Sequence, residues 1–539
     1  MKNSIILIGL LLCTTLAISQ EYAENRLIVK YKLSESQQKS TGLQAVLTAL
    51  GHLKTTTLTK SKTATNSKAA SNEIMLYQFK NSIDVPAAIT ALKKTGLFAY
   101  VEPDFIGHGA GKRQKEATIP TTSPNDTYYN RQWGLKNDGS FSLSSATAGA
   151  DVDMELAWDI TTGNANITVA ILDSGVSLAH PEFSGRIWTN SSETANSSDS
   201  DNNGYTDDIN GWDFVNGDNN PTDDHGHGTN VAGITLANGN NNDGYAGVDW
   251  KSKLMPLKIL NDNNSGLYSW WIAAIDYAVN NGAKVINMSV GGSGFSSAMK
   301  DAVDRAHDEN VVITVSMMNF NNEVPYYPAA YDATIAVGSS NPNDQRTNPF
   351  FWSTTSGSNY GNHIDVIAPG NFIYGLSHTS TTNYGSYWGG TSQAAPLVAG
   401  ICALMLDQRP TLTVAQIRSI LRDSSEDQVG LSTEDTEGWD KYHGAGRVNA
   451  HQALQKVLSV QKSANGPTFT LYPNPTNNSI LFTGDITNCS YVIFDTLGKK
   501  ISSGLLLEKR LDIANLTPGV YSFQLQNEKG MTTKKFIKK

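Results

Sequence analysis

Between residues 125 and 460 the chain changes its hydrophobic period again and again, and this alternation limits the fold more than any other feature. Short apolar runs rich in β-branched residues occur at 167–172 (ITVAIL), 254–259 (LMPLKI), 284–288 (KVINM), 311–315 (VVITV) and 333–338 (ATIAVG). Helical patterns lie between them, as at 270–280 and 297–308. Strands that are apolar on both sides must be covered on both faces, and repeated strand–helix returns make neighbouring strands parallel. The expected core is therefore α/β, a doubly wound parallel sheet with helices on both faces.

The flanks differ in character. At 539 residues the chain has room for three to four domains. Residues 21–107 read as a small α+β unit, with strands at 26–32 and 74–79 and helices at 42–51 and 85–94. Residues 55–71, rich in Lys, Thr, Ser and Ala, read as a loop. Residues 108–124 have the composition of an exposed linker, where proteolysis concentrates. Residues 467–539 hold short strands (491–494, 519–526, 532–537) and turn signals at 497–498 and 517–519, the pattern of a small β-sandwich. The boundaries read from the sequence are 1–19, 20–117, 118–462 and 467–539.

Lys2 precedes an apolar stretch at 5–12, and Ala17-Ile18-Ser19 offers small residues for cleavage after Ser19, so residues 1–19 read as a secretory signal. Cys13 follows Leu12, which is larger than the residue a lipoprotein site prefers. Beyond the first twenty residues no apolar run is long enough to span a bilayer. Signal removal leaves Cys402 and Cys489 in different expected domains, which argues against an internal disulfide framework. The net charge of −9 divides unevenly. Residues 21–117 carry 14 basic against 8 acidic side chains, residues 118–465 carry 17 against 37, and residues 466–539 carry 9 against 5. The acidic centre is not the surface of a nucleic-acid binder. The basic N-terminal unit is electrostatically suited to it.

Three local patterns carry chemistry, each at the edge of a regular element. The strand in 169–176 (VAILDSGV) ends at Asp173. The stretch 224–233 (DHGHGTNVAG) starts a small-residue helix at His227. The stretch 389–400 (GGTSQAAPLVAG) opens a helix at Ser392. Singly, Asp173 could serve a cofactor or metal, His227 could cap a helix or pair with His225 on a metal, and Ser392 could be an N-cap. Together, an acid, an imidazole and a hydroxyl are the parts of acyl transfer, in which the base takes the serine proton and the carboxylate fixes the base.

In this order the three motifs resemble the subtilisin family of serine proteases, the subtilases, over roughly 125–455. Stretches 288–292 (MSVGG), 327–338 (YPAAYDATIAVG) and 365–370 (DVIAPG) extend the likeness. The resemblance implies Asp173, His227 and Ser392 as a triad, and Asn319, at the end of 311–319 (VVITVSMMN), as the oxyanion-hole side chain; Asn321 and Asn322 are the alternatives if the register slips. It also implies a substrate pocket walled by Ser289, Val290, Gly291 and Gly292, with Met317 on the other side. Met318 stands where the family carries Gly, and Met317 where it prefers Ala. A narrowed pocket that favours small side chains before the scissile bond is expected.

Residues 21–107, above all 98–107 (FAYVEPDFIG), resemble the inhibitory propeptide of subtilases, which implies an intramolecular inhibitor removed by cleavage in 108–124. Residues 471–476 (LYPNPT), 494–499 (FDTLGK), 516–521 (LTPGVY) and 534–539 (KKFIKK) resemble a type IX secretion sorting domain. That implies a Gram-negative host, the type IX machinery as partner, and a product secreted or held on the outer surface. Protein or peptide substrates and a monomer are expected.

Residues 199–208 (DSDNNGYTDD) have the spacing of a calcium loop. Asp199, Asp201 and Asn203 supply oxygens at alternate positions, Gly204 makes the turn, Tyr205 offers a carbonyl, and Asp207 or Asp208 closes. A solvated acidic loop is the plain alternative. Three functional readings follow: a secreted serine endopeptidase acting through an acyl-enzyme, a silent scaffold used for binding, and a metallohydrolase using His225 and His227.

Overall fold

A computed structural model describes residues 22–32, 40–59, 73–109, 112–115, 123–382, 384, 386–464, 469–484, 486, 489–494, 500–506, 508–527 and 530–539. The expected signal segment, most of 55–71, and part of the 108–124 and 494–499 stretches lie outside these residues.

Seven strands form the central sheet, and every pairing in it is parallel. Their order across the sheet is Val366–Pro369, Ile335–Ser340, Val312–Ser316, Val285–Met288, Thr168–Asp173, Lys253–Lys258 and Trp212–Asp213. The period-2 geometry of each strand divides its side chains between two cores. Val169, Ile171, Val285 and Val312 join the layer holding the helices His227–Leu236 and Thr391–Gln408. Ala170, Leu172, Ile286 and Ile313 join the layer holding Tyr268–Asn280 and Ser297–Asp308. This double burial is why the strands read as nearly continuous apolar runs.

The chain starts at Thr168–Asp173, places Trp212–Asp213 at one edge, fills in Lys253–Lys258 between them, then crosses over to build in the other direction. In sheets of this kind the crevice at such a reversal, beyond the strand C-termini, is where ligands bind. Asp173 ends the strand at that point, and Leu172 pairs with Met288, so Ser289 emerges beside it.

The N-terminal unit is an antiparallel sheet carrying the helices Thr41–Ala49 and Val85–Lys94 on its own core of Leu27, Val29, Leu43, Tyr77, Phe79 and Leu92. Ser40 and Asp84 cap the two helices through side-chain oxygens, which fixes where they begin. The C-terminal unit contains a three-stranded and a four-stranded antiparallel sheet around Phe469, Phe482, Phe523 and Phe536. Cys402 and Cys489 are both buried and free.

Residues 108–109 and 112–115 lie in strands where the composition reads as linker. The strand Phe98–Gly109 runs out of the N-terminal sheet and pairs antiparallel with Val290–Gly291 on one side and Ser265–Leu267 on the other. Lys112–Lys115 then pairs antiparallel with Ser386–Gly389. Backbone N–H and C=O groups make these ladders, so polar, Gly-rich composition does not oppose them.

Candidate active site

Asp173 and His227 meet across 54 residues of sequence. His227 Nδ1 lies 2.6 Å from Asp173 Oδ1, and both side chains are fully buried. The local folding that achieves this is rigid. Asp223 Oδ1 accepts the N–H groups of His225 and Gly226, and Oδ2 accepts the Thr229 N–H and hydroxyl, so one carboxylate caps the start of the His227 helix. Ser174 donates its hydroxyl to the same Asp223 at 2.8 Å and accepts the Gly228 N–H, tying the turn after Asp173 to that helix. Gly228 is required for this approach, because a Cβ there would lie 2.1 Å from the Gly175 carbonyl oxygen. Behind the turn, buried Lys258 donates to the carbonyls of Ser174 and Leu260 and to Asp224.

Ser392 is the second residue of the helix Thr391–Gln408 and is fully buried with the Phe98–Gly109 strand in place. Its hydroxyl donates to the Ser289 carbonyl at 3.2 Å, and the Ser289 hydroxyl donates back to the Ser392 carbonyl at 2.9 Å. The helices of His227 and Ser392 pack together, and Gln393 donates to Asn230 at 2.9 Å, one helical turn beyond His227. The Trp388 ring stands edge-on to His227 at 5.9 Å, from the strand that leads into Ser392. With Nδ1–H given to Asp173, the imidazole keeps the Nε2 lone pair, as a general base for a hydroxyl requires.

Asn319 Oδ1 accepts the Thr391 N–H at 2.9 Å and the Thr391 hydroxyl at 3.1 Å. That fixes the amide so that Nδ2 is the group left to donate beside Ser392. The two alternatives are engaged elsewhere: Asn321 Oδ1 accepts from Arg346, and Asn322 Oδ1 accepts the Val324 N–H.

Met317 packs in the core cluster of the Tyr268 and Ser297 helices, as does Val290 of the opposite wall. The next residue, Met318, has a left-handed backbone (φ +72°) and a side chain that packs with Tyr326. A Cβ on Gly291 would lie 2.7 Å from Met318 Sδ and 2.9 Å from its Cγ, so the thioether lies directly against the Gly291 backbone.

The cleft holds a segment of its own chain. His108 pairs with both Gly291 and Ser265, Gly109 pairs with Val290, and Lys112 pairs with Gly389, three residues before Ser392. Carboxylates upstream anchor this strand. Glu102 accepts the N–H groups of Ser297 and Ala298, at the start of the Ser297–Asp308 helix. Fully buried Asp104 accepts the Ser269 N–H and hydroxyl at the start of Tyr268–Asn280 and pairs with Arg26 at 2.9 Å. Both acids sit at positive helix ends. Burial pushes their pKa values up, opposed by the bonds they accept and, for Asp104, by Arg26. Neither residue announces a role by sequence alone, since lone acids in a strand are common.

Residues 164–446 match the Subtilase family model, and residues 470–539 match the Secretion system C-terminal sorting domain. Thermitase of Thermoactinomyces vulgaris is 33% identical over 334 residues, which is 62% of this chain and 99% of that protein. The thermophilic serine proteinase of Bacillus sp. (strain AK1) is 31% identical over 372 residues, 69% of this chain and 76% of its own. The chain is a subtilase. Among solved structures, fervidolysin from Fervidobacterium pennivorans, described as a keratinolytic enzyme related to subtilisin, shares the fold at a TM-score of 0.59. It is 20% identical, with 94% of this chain and 87% of that chain covered. The subtilase is thus a serine-type endopeptidase, and its sorting domain marks type IX secretion to the cell surface or the medium. Among the described residues no helix is long and apolar enough to cross a membrane.

In this subtilase the acidic loop gathers some of the expected ligands and not others. Carboxylate oxygens of Glu193, Asp199 and Asp201 come within 4.8 Å of one another. Asp201 and Asp208 share the amides of Asn190 and Asn203 as donors, and Asp208 also accepts the Tyr277 hydroxyl. Asp207 turns away and accepts the N–H groups of Asn196 and Ser197. The Tyr205 ring packs among Trp212, Phe214 and Tyr277, and its N–H donates to Asn203. Glu193 was missed by spacing because it lies outside the loop, yet it accepts the N–H groups of Ser200, Asp201 and Asp207.

Proposed function

We propose that this subtilase hydrolyses peptide bonds through an acyl-enzyme on Ser392, with His227 as general base and then acid, Asp173 as its orienting carboxylate, and Asn319 Nδ2 together with the Ser392 N–H as oxyanion donors. The buried 2.6 Å contact of His227 Nδ1 with Asp173, beside the Ser392 helix, carries this reading. Labelling with a fluorophosphonate probe tests it: the processed enzyme should be labelled and Ser392→Ala should not. An unlabelled processed enzyme would support the silent-scaffold reading instead.

Substrate binds as the Phe98–Gly109 strand does, antiparallel between Val290–Gly291 and Ser265–Leu267. Met318 leaves room beside Gly291 for only a small side chain. The N-terminal unit is the intramolecular inhibitor, and maturation cuts the chain between Gly109 and Lys112. Ala110 and Gly111, between these two residues in the sequence, are small, as the pocket demands. N-terminal sequencing of the secreted enzyme should give a first residue between 110 and 112. Ser392→Ala should accumulate the precursor.

The oxygen-rich set of Glu193, Asp199, Asp201 and Asp208 fits a structural Ca2+. A chelator should then lower Tm, and unchanged unfolding would rule the ion out.

A further inference from the structure

A second cation site lies far along the chain from the acidic loop, on the connection between the helices Val414–Ser424 and Ala450–Ala464. Asp440 and Gly444 exchange backbone hydrogen bonds of 3.0 Å each way, closing a tight turn that carries His443. Asp440 Oδ1 accepts the N–H groups of Tyr442 and His443, and Oδ2 accepts that of Thr436. Asp435 faces the turn, held by the N–H groups of Gln428 and Gly430. One ligand atom from each of Asp435, Asp440 and His443 lies within 4.8 Å of the others.

Two observations make this more than an acidic cluster. His443 is fully buried, and neither ring nitrogen has a hydrogen-bond partner among the described residues. Leaving such atoms dry costs about 1–3 kcal/mol each. Nor does any Lys or Arg among the described residues pair with Asp435 or Asp440. A buried imidazole and two carboxylates without a counter-charge are a ligand set awaiting a cation.

We infer that Asp435, Asp440 and His443 bind a divalent transition-series cation of the Zn2+ type. The imidazole nitrogen selects for this class over Ca2+, which takes six to eight oxygens. The ion would fasten the connection to the sheet edge, where Ala445 N–H already donates to Asp365 and Trp439 donates to the Ile364 carbonyl. Its work is structural, since the connection supplies no residue to the active site.

The test uses the full-length Ser392→Ala chain, stripped with chelator and returned to excess Ca2+ so that the acidic loop stays filled. Zn2+ titrated by calorimetry should bind stoichiometrically and raise Tm, and His443→Gln should weaken that binding at least about a hundredfold, more than loss of a supporting group costs. Zn2+ bound at His225 or His227 is present in both proteins and cancels in the comparison. If His443→Gln does not fold, Asp435→Asn takes its place. A nitrogen hyperfine contribution from bound Cu2+ that the unsubstituted chain shows and His443→Gln lacks also supports the site. Equal Zn2+ affinity in both proteins would overturn the proposal. So would no uptake of Zn2+ by the folded, chelator-stripped chain.

Discussion

Met318→Gly should both open the pocket and relieve the backbone beneath it, and the two effects can be measured apart. Truncating a buried Met costs about 2–5 kcal/mol. The φ of +72° at this position costs a non-glycine residue about 1–2 kcal/mol, which Gly recovers. The variant should therefore lose about 1–3 kcal/mol of stability. Met318→Ala should lose more, because it removes the side chain and keeps the strain. On the substrate side, the atoms removed are those lying against Gly291. A single methylene in an apolar pocket is worth about 1–3 kcal/mol, so Phe relative to Ala before the scissile bond should gain about a hundredfold in kcat/KM. The assay is a pair of peptide substrates differing only at that residue, run on both variants with active-site titration. An unchanged Phe-to-Ala ratio in an enzyme that still titrates fully would show that Met318 does not wall the pocket.

Asn319→Ala should lower kcat by about 10²–10³ with KM within about twofold, since Nδ2 would act only on the developing oxyanion; an equal loss in KM would point to a positioning role. Glu102→Gln in separately added N-terminal unit should weaken inhibition about 5–30-fold, from about 1–2 kcal/mol of lost capping at the Ser297 helix; unchanged inhibition would mean that the cap contributes nothing. Burial holds the His180 imidazole down to about 4 from 6.5, and its Nδ1 accepts the Glu182 N–H. The unfolded chain therefore binds more protons between those values, so stability present above pH 6.5 is lost as pH falls through about 4, by up to about 3 kcal/mol. His180→Asn keeps an acceptor without the titration, and its Tm should fall less steeply with acid than that of the unsubstituted chain.

What could be read from the residues was what depends on neighbours in sequence. Val169 to Leu172 announced a strand covered on both sides because adjacent side chains must face opposite layers. Asp173, His227 and Ser392 were legible because each ends or begins an element within a compact local motif. The fate of 112–115 was not legible: Lys, Arg and Gln say nothing about a ladder whose partner, 386–389, lies some 270 residues away. Glu193 was hidden for the same reason, since its role comes from three backbone N–H groups that the fold brings to it. The contact of Met318 with Gly291 was hidden too, since it is made by a left-handed residue after the strand ends at Ser316.

The strand in the cleft belongs to the same molecule as the cleft, so before scission its local concentration is fixed by tethering, in the millimolar range for a short connection. Under the proposed maturation, a cut between Gly109 and Lys112 would abolish the tether without removing the occupant. Release would then follow ordinary mass action, and the onset of proteolysis would be governed by how far the secreted molecules are diluted, more than by when the bond was broken.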